Sequence, residues 1–157
     1  MNSRKVKMVT AACALSIGIA FTGNAIAADK KERSPASQYR HDVMEVVKYS
    51  AANIGQILRK TATPEEGDLA GYAEILANAA ALSKSAFKPD TRGQDGFTEA
   101  KDDIWANWDD FAGRMDKFAN DTRAFADAAK SGDQAKIGAT VGEVFKNCKS
   151  CHDKYQD

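Results

Sequence analysis

Two cysteines and a histidine lie within five residues of one another near the end of the sequence. Cys148-Lys149-Ser150-Cys151-His152 has the pattern C-x-x-C-H, which is the attachment sequence of a c-type haem. On a helix, thiols three residues apart share one face, so each can form a thioether with a haem vinyl group. His152 lies one helical turn after Cys148, and its imidazole can reach the iron from the same side. The motif predicts one covalently attached haem c whose iron is bound by His152.

The first 27 residues have the pattern of a secretory signal peptide that is cleaved. Three Lys or Arg residues precede an apolar run over about 8–21, and an Ala-x-Ala cleavage pattern ends at Ala27. The run is too short to hold a membrane span firmly, so no span is expected after cleavage. Cys13 leaves with this segment. We predict a signal peptide over 1–27 and a single mature domain over 28–157, located in the periplasm.

Removal of the signal changes the charge and the cysteine count. The whole chain of 157 residues has 22 Lys and Arg against 22 Asp and Glu. The mature 130 residues keep 19 basic and 22 acidic side chains, a net charge of −3, and two of the three cysteines. No run of Lys or Arg alternates with aromatic residues, so nucleic acid is not expected as a partner. The acidic balance permits steering toward a basic periplasmic redox partner.

Other uses of a C-x-x-C pair fit the sequence less well than haem attachment. A dithiol redox motif of the thioredoxin type opens a helix after a strand, whereas this pair lies at the end of a helical pattern. A structural zinc site needs four ligands, and the mature chain offers only Cys148, Cys151, His152 and His41. A haem-free exported dithiol or metal-binding module remains the distant alternative. No set of nucleophile, base and orienting group is identifiable, so the protein is not expected to be an enzyme.

Apolar residues recur at steps of three and four along the mature chain, which is the pattern of helices that share a core. The clearest stripe consists of Ile104, Trp108, Phe111, Met115, Phe118, Thr122 and Phe125. Cap signals divide the chain further: Ser34-Pro35 and Thr63-Pro64 begin helices, and Gly132-Asp133 separates the last two.

These signals predict helices near 35–61, 64–86, 98–130 and 133–155. Gly113, inside the third of them, weakens its continuity because glycine costs about 1 kcal/mol there relative to alanine. No segment shows the period of two that a strand requires. Four helices in one domain predict an all-α, antiparallel four-helix bundle with the covalent haem near its C-terminus.

The bundle and its motif together resemble the class II c-type cytochromes, the cytochrome c′ and cytochrome c556 group. The resemblance covers the mature chain and is most specific over 148–155 and over 39–44, Tyr-Arg-His-Asp-Val-Met. Segments 86–90 and 104–105 also match the loop and the start of the third helix in that family. The resemblance implies a periplasmic haem and a homodimer formed through the first two helices.

The resemblance also gives roles to two residues of the first helix. Arg40 matches an arginine that pairs with a haem propionate, and Met44 matches the position on the side of the haem opposite His152. In cytochrome c556 members this methionine ligates the iron and makes an electron carrier. In cytochrome c′ members an apolar or unligated residue leaves the iron five-coordinate, able to bind nitric oxide or carbon monoxide. The residues alone also allow Met44 to be a core side chain beside Val43.

We therefore predict electron transfer through the haem iron, with His152 and Met44 as ligands, and gas binding by a five-coordinate iron as the alternative. One departure from the family is Gln156, because several cytochromes c′ have a basic residue four positions after the haem histidine. We expect Met115 in the core and His41 near a propionate or solvent. Three aromatic side chains are candidates for the wall of the haem pocket: Trp105, Trp108 and Phe111.

Overall fold

The structure is a computed structural model and describes residues 32–61, 68–94 and 96–157. Its helices are α1 (Pro35–Leu58), α2 (Leu69–Phe87), α3 (Asp103–Ala106), α4 (Trp108–Ser131) and α5 (Gln134–Tyr155). The four long helices pack in sequence, α1 on α2, α2 on α4 and α4 on α5. This is the predicted four-helix bundle, and the prediction is confirmed.

Two further predictions about the chain concern its relation to membranes and export. None of the helices in the described part of the chain is long and apolar enough to cross a membrane. The predicted signal peptide, residues 1–27, lies outside the described residues.

Local cap chemistry fixes several helix ends where the sequence placed them. Ser34 accepts a hydrogen bond from the backbone N–H of Ser37 at 3.2 Å, and Pro35 follows it at the first helical position. The Asp133 carboxylate accepts from two backbone N–H groups in the first turn of α5. Gly132 ends α4 with a φ of 72°, a left-handed conformation that glycine adopts without a steric penalty.

The predicted helix over 98–130 is wrong in its first part. Residues 98–102 are not helical, α3 is a single turn, and Asn107 leaves the helical region at φ −124° and ψ 45°. The Asn107 backbone N–H and side-chain amide both donate to the carbonyl of Asp103, at 2.9 and 3.2 Å. Helix α4 then runs without interruption through Gly113.

The second helix also begins later than predicted. Asp68 is the N-cap of α2, and its carboxylate accepts a hydrogen bond from the Gly71 N–H at 2.7 Å. The predicted start at Thr63-Pro64 lies outside the described residues. Helix α1 ends at Leu58, three residues before the predicted end.

The buried side chains form two clusters that lie at different levels of the bundle. One cluster includes Ile54, Leu76, Phe118, Phe125 and Val144, with the alanines of α2 and α4 between them. The second consists of Phe87, Ile104, Phe111, Met115 and Tyr155, and Met44 and Cys151 pack against it. Cys148 packs against the first cluster and Cys151 against the second, so the C-x-x-C-H motif contacts both clusters.

Two glycines give a prediction about helix stability. A Cβ added at Gly138, inside α5, or at Gly132 would meet no atom within 4 Å, so the two positions differ mainly in backbone conformation. Gly138→Ala is expected to raise the free energy of unfolding by about 1 kcal/mol, because alanine favours the helix. Gly132→Ala is expected to lower it by about 1 kcal/mol, because φ is positive there. Urea denaturation followed by circular dichroism measures both, and an equal effect of the two substitutions would contradict this account.

Candidate functional site

A cavity of about 1090 Å³ opens between α1, α4 and α5. Helices α1 and α5, the remaining neighbours in the bundle, lack the close packing that joins the other long-helix pairs. The cavity brings together all five side chains that the sequence proposed for the site: Arg40, Met44, Cys148, Cys151 and His152. The gap in helix packing and the candidate site are therefore the same place.

The two cysteines line the cavity from α5 as free, half-buried thiols. Burial raises the pKa of both, and that of Cys151 to about 11. A dithiol oxidoreductase instead depends on a cysteine with a lowered pKa, since the thiolate is the nucleophile. The described residues also include no group of three or more His, Cys, Asp or Glu side chains that could hold a metal ion. The raised pKa of both cysteines disfavours a redox-active dithiol.

His152 and Met44 line the cavity from helices on its two sides. His152 belongs to α5 and is exposed, so its imidazole is accessible from the cavity. Met44 belongs to α1, is half-buried, and packs against the second core cluster. A thioether sulfur and an imidazole nitrogen are both ligands for haem iron. The arrangement offers one candidate iron ligand from each helix.

Arg40 places a buried positive charge at the cavity wall. The side chain is only 3% exposed, and its guanidinium lies 5.4 Å from the ring centre of Phe87 and 5.2 Å from that of Trp105. It donates hydrogen bonds to the hydroxyl oxygens of Thr91 and Ser37, each at 3.2 Å. A cation in such surroundings favours an anionic partner, and a carboxylate of a ligand in the cavity would supply one.

The aromatic wall differs from the expectation in one respect. Phe111 lines the cavity with Met115, whereas Trp105 and Trp108 pack behind this wall against the second cluster. The indole N–H of Trp105 donates to the carbonyl of Phe87 at 3.0 Å, which holds the ring away from the cavity. Met115 is 7% exposed, in agreement with its expected place in the core.

Asp110 joins α4 to the end of α5 beside the motif. Its Oδ2 accepts hydrogen bonds from Arg114 Nε at 2.8 Å, Tyr155 OH at 2.5 Å and Lys154 Nζ at 3.1 Å. The three donors hold the pKa of Asp110 well below its ordinary value, and Arg114 makes the largest contribution. The Arg114 guanidinium also contacts the carbonyl of Ser150, between the two cysteines, at 3.4 Å. The network fixes the segment that contains the motif against α4.

Asp110→Asn is expected to lower stability at neutral pH by removing this anion. Folding lowers the pKa of this carboxyl group, so its charge stabilises the folded protein at pH values above about 3.9, the pKa in the unfolded chain. The stabilisation is lost as the pH falls toward the pKa in the folded protein. The difference between the variant and the original protein should therefore shrink below about pH 4. Asp109→Asn, one position earlier in the same exposed first turn, is the control. Urea denaturation across this pH range would contradict the account if the difference stayed constant.

The cavity fits a haem by its chemistry. Thiols and an imidazole stand on one helix, an apolar wall formed by Phe111 and Met115 can cover a flat ring, and Arg40 can neutralise a carboxylate. A four-helix bundle with a C-x-x-C-H motif at the wall of such a cavity defines a c-type cytochrome of the bundle class.

Comparison with known proteins agrees with that class. The family model described as Cytochrome C' matches residues 35–156. The cytochrome c' of Rubrivivax gelatinosus is 34% identical over 125 residues, which cover 78% of this chain and 94% of the relative. That of Alcaligenes xylosoxydans xylosoxydans is 27% identical over 121 residues, 77% of this chain and 92% of the relative. The chain belongs to the cytochrome c′ family.

Solved structures show the same likeness. Cytochrome c prime from Shewanella frigidimarina superposes with a TM-score of 0.69 at 29% identity, over 78% of this chain and 94% of that one. A ferrous arginine-to-glutamine variant of cytochrome c prime from Alcaligenes xylosoxidans, with bound NO, gives a TM-score of 0.67 at 27% identity, with the same coverage of both chains. The fold around the cavity is thus that of haem proteins.

Several residues around the cavity were not found from the sequence. Ser37 and Thr91 hold Arg40, although Thr91 is 51 residues away along the chain. Asp110 and Glu99 approach α5 from distant segments in the same way. No local pattern marks these residues, because each acquires its role only when two separate segments pack together.

Proposed function

We propose that this protein is a periplasmic haem c cytochrome that carries electrons and is not an enzyme. Cys148 and Cys151 would hold one haem through thioether bonds, and His152 of the same helix would bind its iron. When bound, the haem supplies an iron that changes between ferrous and ferric states. The observation that carries the proposal is the position of these three side chains at a cavity whose opposite wall contains Met44.

The remaining residues of the cavity have supporting roles in this proposal. Arg40, held by Ser37 and Thr91, neutralises a haem propionate inside the bundle. Phe111 and Met115 keep water away from the ring. Met44, as the second axial ligand, raises the reduction potential relative to ligation by two histidines.

An absorption spectrum of matured protein tests the proposal. The chain would be exported in a bacterial host that attaches c-type haem, purified, and examined as a pyridine haemochrome and by intact mass. We expect one covalent haem per chain and an N-terminus created by cleavage after Ala27. A mature protein of correct fold without covalent haem would overturn the proposal.

A second candidate function is the binding of nitric oxide or carbon monoxide by a five-coordinate iron. Two observations favour it: related structures are described with bound NO, and Met44 is half-buried against a core cluster, as a packing side chain would be. Carbon monoxide distinguishes the two functions. Rapid binding by the ferrous protein supports gas binding, and slow binding limited by release of Met44 supports electron transfer.

We further propose that the protein is a homodimer formed through α1 and α2. Tyr39, Val46 and Tyr49 of α1 and Ile75 and Leu82 of α2 are large apolar side chains exposed at the surface, Tyr49 at 63% and Leu82 at 50%. Exposed apolar residues on two adjacent helices are typical of an interface between identical chains. Tyr49→Glu with Leu82→Glu is expected to give a monomer in analytical ultracentrifugation. A chain that is already monomeric before substitution would contradict the proposal.

A further inference from the structure

A short segment, residues 97–101, crosses the end of the bundle between α1 and α5, and we call it the strap. The backbone N–H of Lys101 donates to the carbonyl of Tyr155 at 3.0 Å, and that of Asp157 donates to the carbonyl of Glu99 at 2.9 Å. These two bonds form an antiparallel bridge between Ala100 and Gln156. The strap is thereby paired with the residues that follow the C-x-x-C-H motif.

The other side of the strap is attached near α1. Arg33, two residues before α1, donates from Nε to the carbonyl of Phe97 at 3.1 Å. Glu45 is the main cause of the raised pKa of Lys48 in α1, and Glu99 adds a smaller electrostatic contribution. The strap is therefore attached to residues on both sides of the gap between α1 and α5.

The strap brings Glu99 to the turn directly after His152. The backbone N–H of Gln156 donates to the carbonyl of His152 at 3.1 Å, so Gln156 closes the last turn of α5. The Gln156 side-chain amide donates to Glu99 Oε2 at 2.6 Å. Glu99, His152 and Gln156 all line the cavity. A carboxylate is thus held by the residue that lies one helical turn after the candidate iron ligand.

We propose that Glu99 is a positioning residue for the cofactor, held by Gln156 on the His152 side, where its negative charge favours ferric over ferrous iron. The inference rests on the proposed function. Glu99 is exposed at the rim of the cavity, so its charge acts on the haem site through partly screened electrostatics. Gln156 closes the helical turn that contains His152, so its bond to Glu99 also anchors that turn.

The hydrogen bond between Gln156 and Glu99 gives Gln156 a role at a position where several relatives have a basic residue. Its amide donates to Glu99 without adding a positive charge that would cancel the carboxylate. Gln156→Arg would place a cation beside Glu99 and oppose its effect. The reduction potential should therefore respond in the same direction to loss of the Glu99 charge and to gain of a charge at residue 156.

A redox titration of the haem-loaded protein tests the role of Glu99. Glu99→Gln removes the charge but keeps an oxygen that can accept from Gln156, and it is expected to shift the reduction potential to a more positive value. Glu74→Gln makes the same charge change at an exposed carboxylate that pairs with Arg123 between α2 and α4, away from the cavity. Its shift should be much smaller. Equal shifts in the two variants, with unchanged unfolding temperatures, would overturn the inference.

A second pair of variants tests the anchoring by Gln156. Gln156→Ala is expected to change both the potential and the iron–histidine stretching frequency in the resonance Raman spectrum. Gln134→Ala, at the other end of α5, should change neither, since Gln134 bonds only the Gly132 carbonyl. No change in either quantity for Gln156→Ala would also overturn the inference. Absence of covalent haem from the original protein would instead overturn the proposed function, and this inference with it.

Discussion

Serine in place of both Cys148 and Cys151 is expected to abolish covalent retention of haem, and either single substitution is expected to weaken it. A hydroxyl does not form the thioether that links a cysteine sulfur to a vinyl carbon, so each substitution removes one of two covalent bonds. The measurement is haem staining of the protein after denaturing electrophoresis, combined with extraction of haem by acidified acetone. In the double variant the extract should contain all of the haem.

Ser150→Ala is the matched control for this experiment. Ser150 lies between the two cysteines, is exposed, and donates its hydroxyl only to the carbonyl of Asn147. Its loss should leave haem attachment unchanged. Full retention of covalent haem in both single cysteine variants would contradict the assignment of the motif.

Met44→Ala is expected to convert a low-spin ferrous spectrum to a high-spin one and to speed the binding of carbon monoxide at least tenfold. A tenfold change corresponds to about 1.4 kcal/mol. Removal of the thioether leaves the position opposite His152 without a protein ligand, so the gas no longer competes for it. Stopped-flow mixing with carbon monoxide and the visible spectrum give the two measurements.

Met115→Ala separates ligation from packing. Met115 also lines the cavity and is more deeply buried, but it belongs to α4 and to the core cluster. Its truncation should cost about 2–5 kcal/mol of unfolding free energy and leave the spin state unchanged. If the original protein is already high-spin and binds carbon monoxide as fast as the Met44→Ala variant, Met44 is a packing residue and gas binding becomes the favoured function.

The parts of the site that lie on one helix could be predicted from the sequence. Cys148, Cys151 and His152 have a fixed relation because a helix repeats every 3.6 residues, whatever surrounds it. The caps at Ser34 and Asp133 depend on bonds within three residues, and the structure contains both. Arg40 and Met44 came from a resemblance, and only packing of α1 across from α5 brings them to the same cavity.

The rest of the structure depends on contacts between segments that are far apart in the sequence, or on the backbone conformation of a single residue. The stripe that contains Ile104 and Trp108 continues across the break at Asn107, so apolar spacing alone could not detect the interruption. There Asn107 leaves the helical region although its backbone N–H still donates to the Asp103 carbonyl. The strap contains no regular pattern, and its bonds to residues 155–157 span more than fifty positions. Their partners are decided by the final packing of α4 and α5.

Because α1 and α5 make few contacts with each other, we expect folding of this protein to depend on the haem. A haem in the cavity would contact both helices and would replace the packing that their own side chains do not provide. Loading and folding are then thermodynamically linked, since anything bound only by the native state stabilises that state. Local opening would begin between α1 and α5 in an unloaded chain and give proteases access to α1. Under the proposed function, proteolysis would then remove chains that have not received their haem.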